Sequence, residues 1–169
     1  MKPKFYIFLD IDGVMYDWAM IKSNNLNING IIDKFSVQSV NALNYLTKQL
    51  SIEYIPVIVI SSTWRRDMFA TIRVLKANGV NLDLRNLSST PISNAPDRRG
   101  EEIVSFLKTV KDNQNYVIID DEMFDYEEHF LNSKIIKTNI FNDCLKMDKV
   151  NTFFSQNNLA HLIEGDRQK

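Results

Sequence analysis

The chain has one cysteine, Cys144, in 169 residues. A lone thiol excludes an internal disulfide and offers no C-x-x-C pair for a metal or redox couple. That shortage fits a reducing compartment, and a cytoplasmic protein is expected. No charge dominates: 20 Lys and Arg stand against 21 Asp and Glu, a net −1. There is no global basic excess to advertise nucleic-acid binding, though a local patch is left open. Long apolar runs are also missing. Lys2 and Lys4 precede only the short run Phe5–Leu9 before Asp10, too short for a secretory core. Nothing approaches the roughly 18 apolar residues of a membrane span. No repeat and no linker rich in Pro, Gly or Ser interrupts the chain. What remains is ordinary for one soluble globular domain, with 44% hydrophobic residues to build its core.

The pattern of elements comes next. Lys4–Leu9 reads as a strand buried on both faces, as in a parallel sheet. Residues 14–35 read as a flap or short insert, with Trp18, Met20 and Ile21 on a short helix and an Asn-rich loop up to Gly30. Helices are expected from an N-cap at Ser36 to Leu50, over Asp67–Ala77, Glu101–Lys111 and Leu145–Asn157. Further strands are expected at Ile55–Ile60, Val80–Leu84, Tyr116–Ile119 and Lys134–Lys137. This alternation predicts an α/β fold: a three-layer, Rossmann-like, mostly parallel sheet. The domain is expected to span 1–160, with 161–169 a tail that could be the edge of a longer protein.

Three of these strands end in polar groups: Asp10 and Asp12 with Gly13, Ser61 and Ser62, and Asp120 and Asp121. In a parallel sheet those ends share one edge, where chemistry collects. Each group also has a plain structural reading. The aspartates suit turns, and Ser61 and Ser62 suit helix caps. Arg98 and Arg99 suit a solvated pair, and Trp64 suits the core or a substrate entrance. His129 and His161 read as structural or surface residues.

Taken together, FLDIDGV, VIVISSTWR, RRGEEI and IIDDE resemble the four motifs of the haloacid dehalogenase superfamily. Their combination is similar to the branch found with the "Swiss Army Knife" RNA-repair proteins. The resemblance runs from about Lys4 to Asn157. It implies a phosphomonoester phosphatase that needs Mg²⁺ and passes through an aspartyl-phosphate. On this basis Asp10 is the nucleophile and a metal ligand. Asp12 is the general acid and base, and its carbonyl faces the metal. Asp121 is the direct metal ligand and Asp120 orients it, or the reverse. Ser61, Ser62 and Thr63 bind the phosphoryl group. Arg99 supplies the basic group of the third motif, with Arg98 the second choice, and Arg65 and Arg98 add to substrate binding.

Neither gap between the motifs can hold a cap domain, so an open site is expected. Open relatives often act on phosphorylated macromolecules, and a phosphoprotein (phosphotyrosine or phosphoserine) is favoured over nucleic acid here. A polynucleotide-end phosphatase, a small-metabolite phosphatase and a non-catalytic binding module are the alternatives. Oligomeric state is not legible.

Overall fold

The computed structural model describes residues 2–23, 34–93 and 97–164. The Asn-rich part of the expected flap, Ala95-Pro96 and the last tail residues lie outside them. In chain order the main elements are β1 (Lys4–Leu9), α1 (Trp18–Ser23), α2 (Val37–Leu50), β2 (Ile55–Ile60), α3 (Met68–Ala77), β3 (Leu87–Ser89), α4 (Arg99–Leu107), β4 (Tyr116–Asp120), β5 (Ile135–Lys137), α5 (Met147–Gln156) and α6 (His161–Glu164). The strands form one sheet in the order β3-β2-β1-β4-β5, every pair parallel.

The apolar strand runs follow from burial on both faces. Phe5, Ile7 and Leu9 join one core layer with residues of α2, α5 and α6. Tyr6 and Phe8 join a second layer with Ile103 and Leu107 of α4. The period of two sends alternate side chains to opposite faces. The fold is therefore the expected α/β, Rossmann-like architecture with helices on both sides. Among the described residues, the gaps after β1 and after β2 hold no second domain. Pro56 sits in β2 without breaking the sheet, because β3 pairs only with Ile58–Ile60.

Three expectations differ from the structure. No strand forms at Val80–Leu84. The third strand is Leu87–Ser89, reached through a 3-10 turn at Leu84–Asn86. Asp83 drives that turn, its carboxylate accepting from the Arg85 N–H at 3.0 Å. Ser36 holds the N-cap position of α2, but its hydroxyl makes no capping bond. The expected tail begins as a helix, with Leu162 buried in the first layer.

Strand order sets the place for chemistry. The chain steps from β1 to β2 to β3 on one side, then crosses to β4 on the other. That reversal opens a crevice at the carboxyl ends of β1 and β4. Backbone pairing continues one residue past the strands: Asp10 N donates to Ile119 O at 3.0 Å and Ser61 N to Leu9 O at 3.0 Å. Asp10, Ser61 and Asp120 are thus held side by side.

Candidate active site

At the mouth of the crevice, Asp10, Asp120 and Asp121 each place a carboxylate oxygen within 4.8 Å of the others. Asp10 is 3% exposed and Asp120 not at all. One nitrogen of Arg99, Nη1, donates to both, at 2.7 Å to Asp10 Oδ1 and 2.9 Å to Asp120 Oδ2. The ring of Phe124 lies under that guanidinium at 4.2 Å. Phe124 has φ of +39°, a left-handed conformation that costs a non-glycine residue energy, and such strain gathers at functional sites.

The two acids ending β4 are held differently. Asp120 accepts from Arg99, from the Tyr126 hydroxyl at 2.7 Å and from the Glu122 N–H at 2.9 Å. Asp121 is half-buried and packs across Gly13, where an added Cβ would lie 2.4 Å from its Cγ. Gly13 also has φ of +71°, so both its backbone and its closeness to Asp121 require glycine.

Burial raises Asp10 well above the ordinary carboxylate range, and neighbouring Asp120 raises it further against the pull of Arg99. Burial raises Asp120 as well. Asp121 is pushed up to about 6, by burial first and then by Asp120 and Glu122. Burial works against the charge of Arg99, but Asp120 and Asp10 outweigh it and raise the guanidinium above its usual value. Three carboxylates around one guanidinium leave negative charge uncompensated, and an all-oxygen donor set suits Mg²⁺. The residues fit a divalent cation.

Asp12 is built into a separate clamp. Its Oδ1 accepts from the Tyr16 hydroxyl and from Trp64 Nε1, the latter at 3.1 Å. Trp64 is half-buried and leans against Phe35, with ring centroids 6.3 Å apart. Both readings given to Trp64 find support, since it packs against the first core layer and also reaches Asp12 beside the site. Tyr16 had no place in the sequence reading. Its spacing of four residues from Asp12 was the one available signal.

The third and second motifs separate into different jobs. Arg99 enters the site, while Arg98 turns outward to Glu101 at 2.5 Å and Glu128 at 3.2 Å. Arg65, expected to bind substrate, is committed to the protein. It donates to the carbonyls of Ser61 at 2.6 Å and Ser62 at 2.8 Å, and pairs with Glu102 at 2.6 Å. Its side chain is only 8% exposed, so the guanidinium clasps the loop after β2 to α4. Ser62 caps the following 3-10 turn, its Oγ accepting from Trp64 N at 3.4 Å, and Thr63 is exposed. Ser61 is fully buried, and its hydroxyl has no hydrogen-bond partner among the described residues. A buried orphan hydroxyl costs about 1–3 kcal/mol, which a ligand oxygen would recover.

The start of α4 is fixed from a distance. Arg98 makes no side-chain cap. Instead Asp125 accepts from Gly100 N at 2.6 Å and Glu101 N at 3.1 Å, and His129 approaches it at 3.4 Å. This orients Arg99, the first residue of the helix.

A five-stranded parallel sheet with acids grouped at its switch point defines a protein of the haloacid dehalogenase superfamily, whose members are mostly phosphatases. More narrowly, the family model described as "HAD domain in Swiss Army Knife RNA repair proteins" matches residues 6–150, and the chain belongs to that family. Comparisons with curated proteins and with solved structures gave no match. No helix among the described residues is long and apolar enough to cross a membrane.

Proposed function

We propose that this protein is a Mg²⁺-dependent phosphomonoester phosphatase acting on the phosphorylated end of a polynucleotide. The observation that carries the chemistry is the convergence of Asp10, Asp120 and Asp121 on one point beside Arg99. Asp10, Asp121 and the carbonyl of Asp12 would hold the cation, with Asp120 orienting the group. Bound there, the cation supplies positive charge to offset that of the phosphate.

The chain's own residues then divide the work. Arg99 holds Asp10 by Oδ1 and adds positive charge beside the phosphoryl oxygens. Ser61 offers its unpartnered hydroxyl to one of them. A carboxylate oxygen of Asp10 forms a bond to phosphorus as the ester P–O bond breaks. Asp12 gives its proton to the departing oxygen. A water then attacks phosphorus and the bond to Asp10 breaks, with Asp12 taking the water's proton. The net change is one ester and one water to one alcohol and one phosphate. Tyr16 and Trp64 hold Asp12 by one oxygen, leaving the other to carry the proton.

The sequence favoured a phosphoprotein, because the site is open and the chain has no basic excess. Two observations shift the preference toward a polynucleotide. The family's description names RNA repair, and the charge beside the site is locally basic on one flank.

The test is phosphate release with Mg²⁺ from 5′- and 3′-phosphorylated oligonucleotides, phosphotyrosine and phosphoserine peptides, sugar phosphates and para-nitrophenyl phosphate. Turnover of an oligonucleotide end is expected to exceed that of the peptides. Asp10→Asn should cut it about 10³-fold or more. An Asp10→Asn protein as active as the wild type would rule out the mechanism.

A further inference from the structure

Two clefts leave the catalytic centre, and they carry opposite charge. One, of about 650 Å³, runs from Asp121 past Phe124. Its walls hold five carboxylates, among them Asp97, Glu122 and Glu128, against Arg98 and Lys137. The other, of about 340 Å³, runs from Arg99 past Thr63 and Arg66 to Ile92 and Ser93. Its walls hold three arginines against Glu102. A polyanion whose end lies on Asp10 is repelled along the first cleft and attracted along the second.

Within the basic cleft, most of the charge is already engaged. Arg99 faces Asp10 and Asp120, and Arg65 faces Glu102 and two carbonyls. Glu102 is engaged in turn: Arg65 balances its charge, and its Oε1 also accepts from Ser93 N at 2.7 Å. That contact ties the far wall of the cleft to α4. Arg66 differs. It is exposed, and it makes no hydrogen bond or ion pair among the described residues. Its guanidinium, with five donors in a planar fork, suits a phosphate. Ile92, 53% exposed, gives the opposite rim an apolar surface.

We infer that the cleft between Arg66 and Ile92 is a second-anion subsite, which takes the phosphodiester next to the terminal phosphate of a single strand. This rests on the phosphatase reading above. Each unit of a polynucleotide carries one phosphodiester, so a strand with its end on Asp10 always presents an anion one unit away. A peptide does so only where an acidic residue adjoins the phosphorylated one. The cleft's volume is at the lower end for a ligand site, room for about one unit. Among the described residues no aromatic side chain lines it, so the recognition falls on the backbone charge and not on base stacking. Of the cleft's three arginines, Arg66 is the one whose side chain is not already engaged.

The experiment compares kcat/KM for nucleoside 5′- and 3′-monophosphates with that for dinucleotides bearing the same terminal phosphate. An acidic phosphopeptide and para-nitrophenyl phosphate run beside them. The wild-type protein is expected to favour the dinucleotide about tenfold or more, as one charge-assisted bond allows. The gain should shrink as salt rises. In Arg66→Gln the dinucleotide-to-mononucleotide ratio should fall to within about twofold, and Arg66→Lys should restore part of it. Equal kcat/KM on mononucleotide and dinucleotide, with both turned over, overturns the subsite and leaves the phosphatase reading standing. So does an Arg66→Gln protein that keeps the full gain. An acidic phosphopeptide that outranks the dinucleotide overturns the polynucleotide as occupant. No turnover of any of these esters overturns the phosphatase reading itself.

Discussion

At the scale of single residues, the site is decided by where hydrogen bonds end. Asp10 and Asp12 stand two apart in the sequence but meet different partners. Asp10 faces Arg99 in a buried setting, and Asp12 faces Tyr16 and Trp64. The clamp on Asp12 makes a prediction that separates positioning from mere structure. Under the proposed reaction, Tyr16→Phe and Trp64→Phe leave the carboxyl group of Asp12 free to rotate. The loss should be greatest where the leaving oxygen needs a proton. Turnover of an alkyl phosphate should fall by roughly 10- to 100-fold, and that of para-nitrophenyl phosphate much less. The slope of log kcat against leaving-group pKa reads this directly. Equal losses on both substrates would show that the aromatics only hold the loop. Asp10, Asp12, Ser61 and the acid pair were legible because each follows an apolar strand run. Tyr16 and Tyr126 were not, since nothing in their local sequence tells a core aromatic from one whose hydroxyl reaches a carboxylate.

At the scale of elements, the loop after β2 and the start of α4 form one unit. Arg65 and Glu102 are 37 residues apart, with side chains 8% and 6% exposed. Removing one partner of such a pair leaves a buried charge unmatched. Glu102→Ala should lower stability by about 3–5 kcal/mol in urea unfolding. Glu102→Gln keeps the shape and one of the two acceptor oxygens, which serve Arg65 and Ser93 N separately, and should cost less. Equal costs would mean that the charge, which both variants remove, and not the shape, which Gln keeps, matters at this position. Four of the five strands, the parallel sheet and most helix positions could be read from the apolar periodicity. The tertiary uses of Arg65 and Asp125 could not, because each acts on a part of the chain that the local pattern does not reach. Asp125 caps a helix that starts 26 residues before it. The expected strand at Val80–Leu84 failed for a related reason. Asp83 turns the chain there, and the short run Leu87–Ser89 then pairs with the end of β2.

At the scale of the whole molecule, the site works against the stability of the fold that carries it. Asp10, Asp120 and Asp121 all have their neutral forms favoured by burial. An acid whose folded pKa is raised binds its proton more tightly folded than unfolded. The fold therefore loses stability as pH rises from the unfolded value toward the folded one, and the loss is complete above it. For Asp121 that window runs from 3.8 to about 6. Without metal, Asp121→Asn should raise Tm at pH 7.5, and the gain should largely vanish near pH 3.5, below the unfolded value, where the wild-type acid is mostly neutral folded and unfolded alike. Mg²⁺ binds the ionised folded form, so it should raise the wild-type Tm by mass action at pH 7.5, and less as pH falls below about 6. In Asp121→Asn the Mg²⁺ response should be largely lost. Thermal melts at pH 3.5 and pH 7.5, each with EDTA and with millimolar Mg²⁺, give all the comparisons. A metal response equal in the two proteins would remove Asp121 from the ligand set and leave Asp120, despite its three donors, as the acid of β4 that meets the cation.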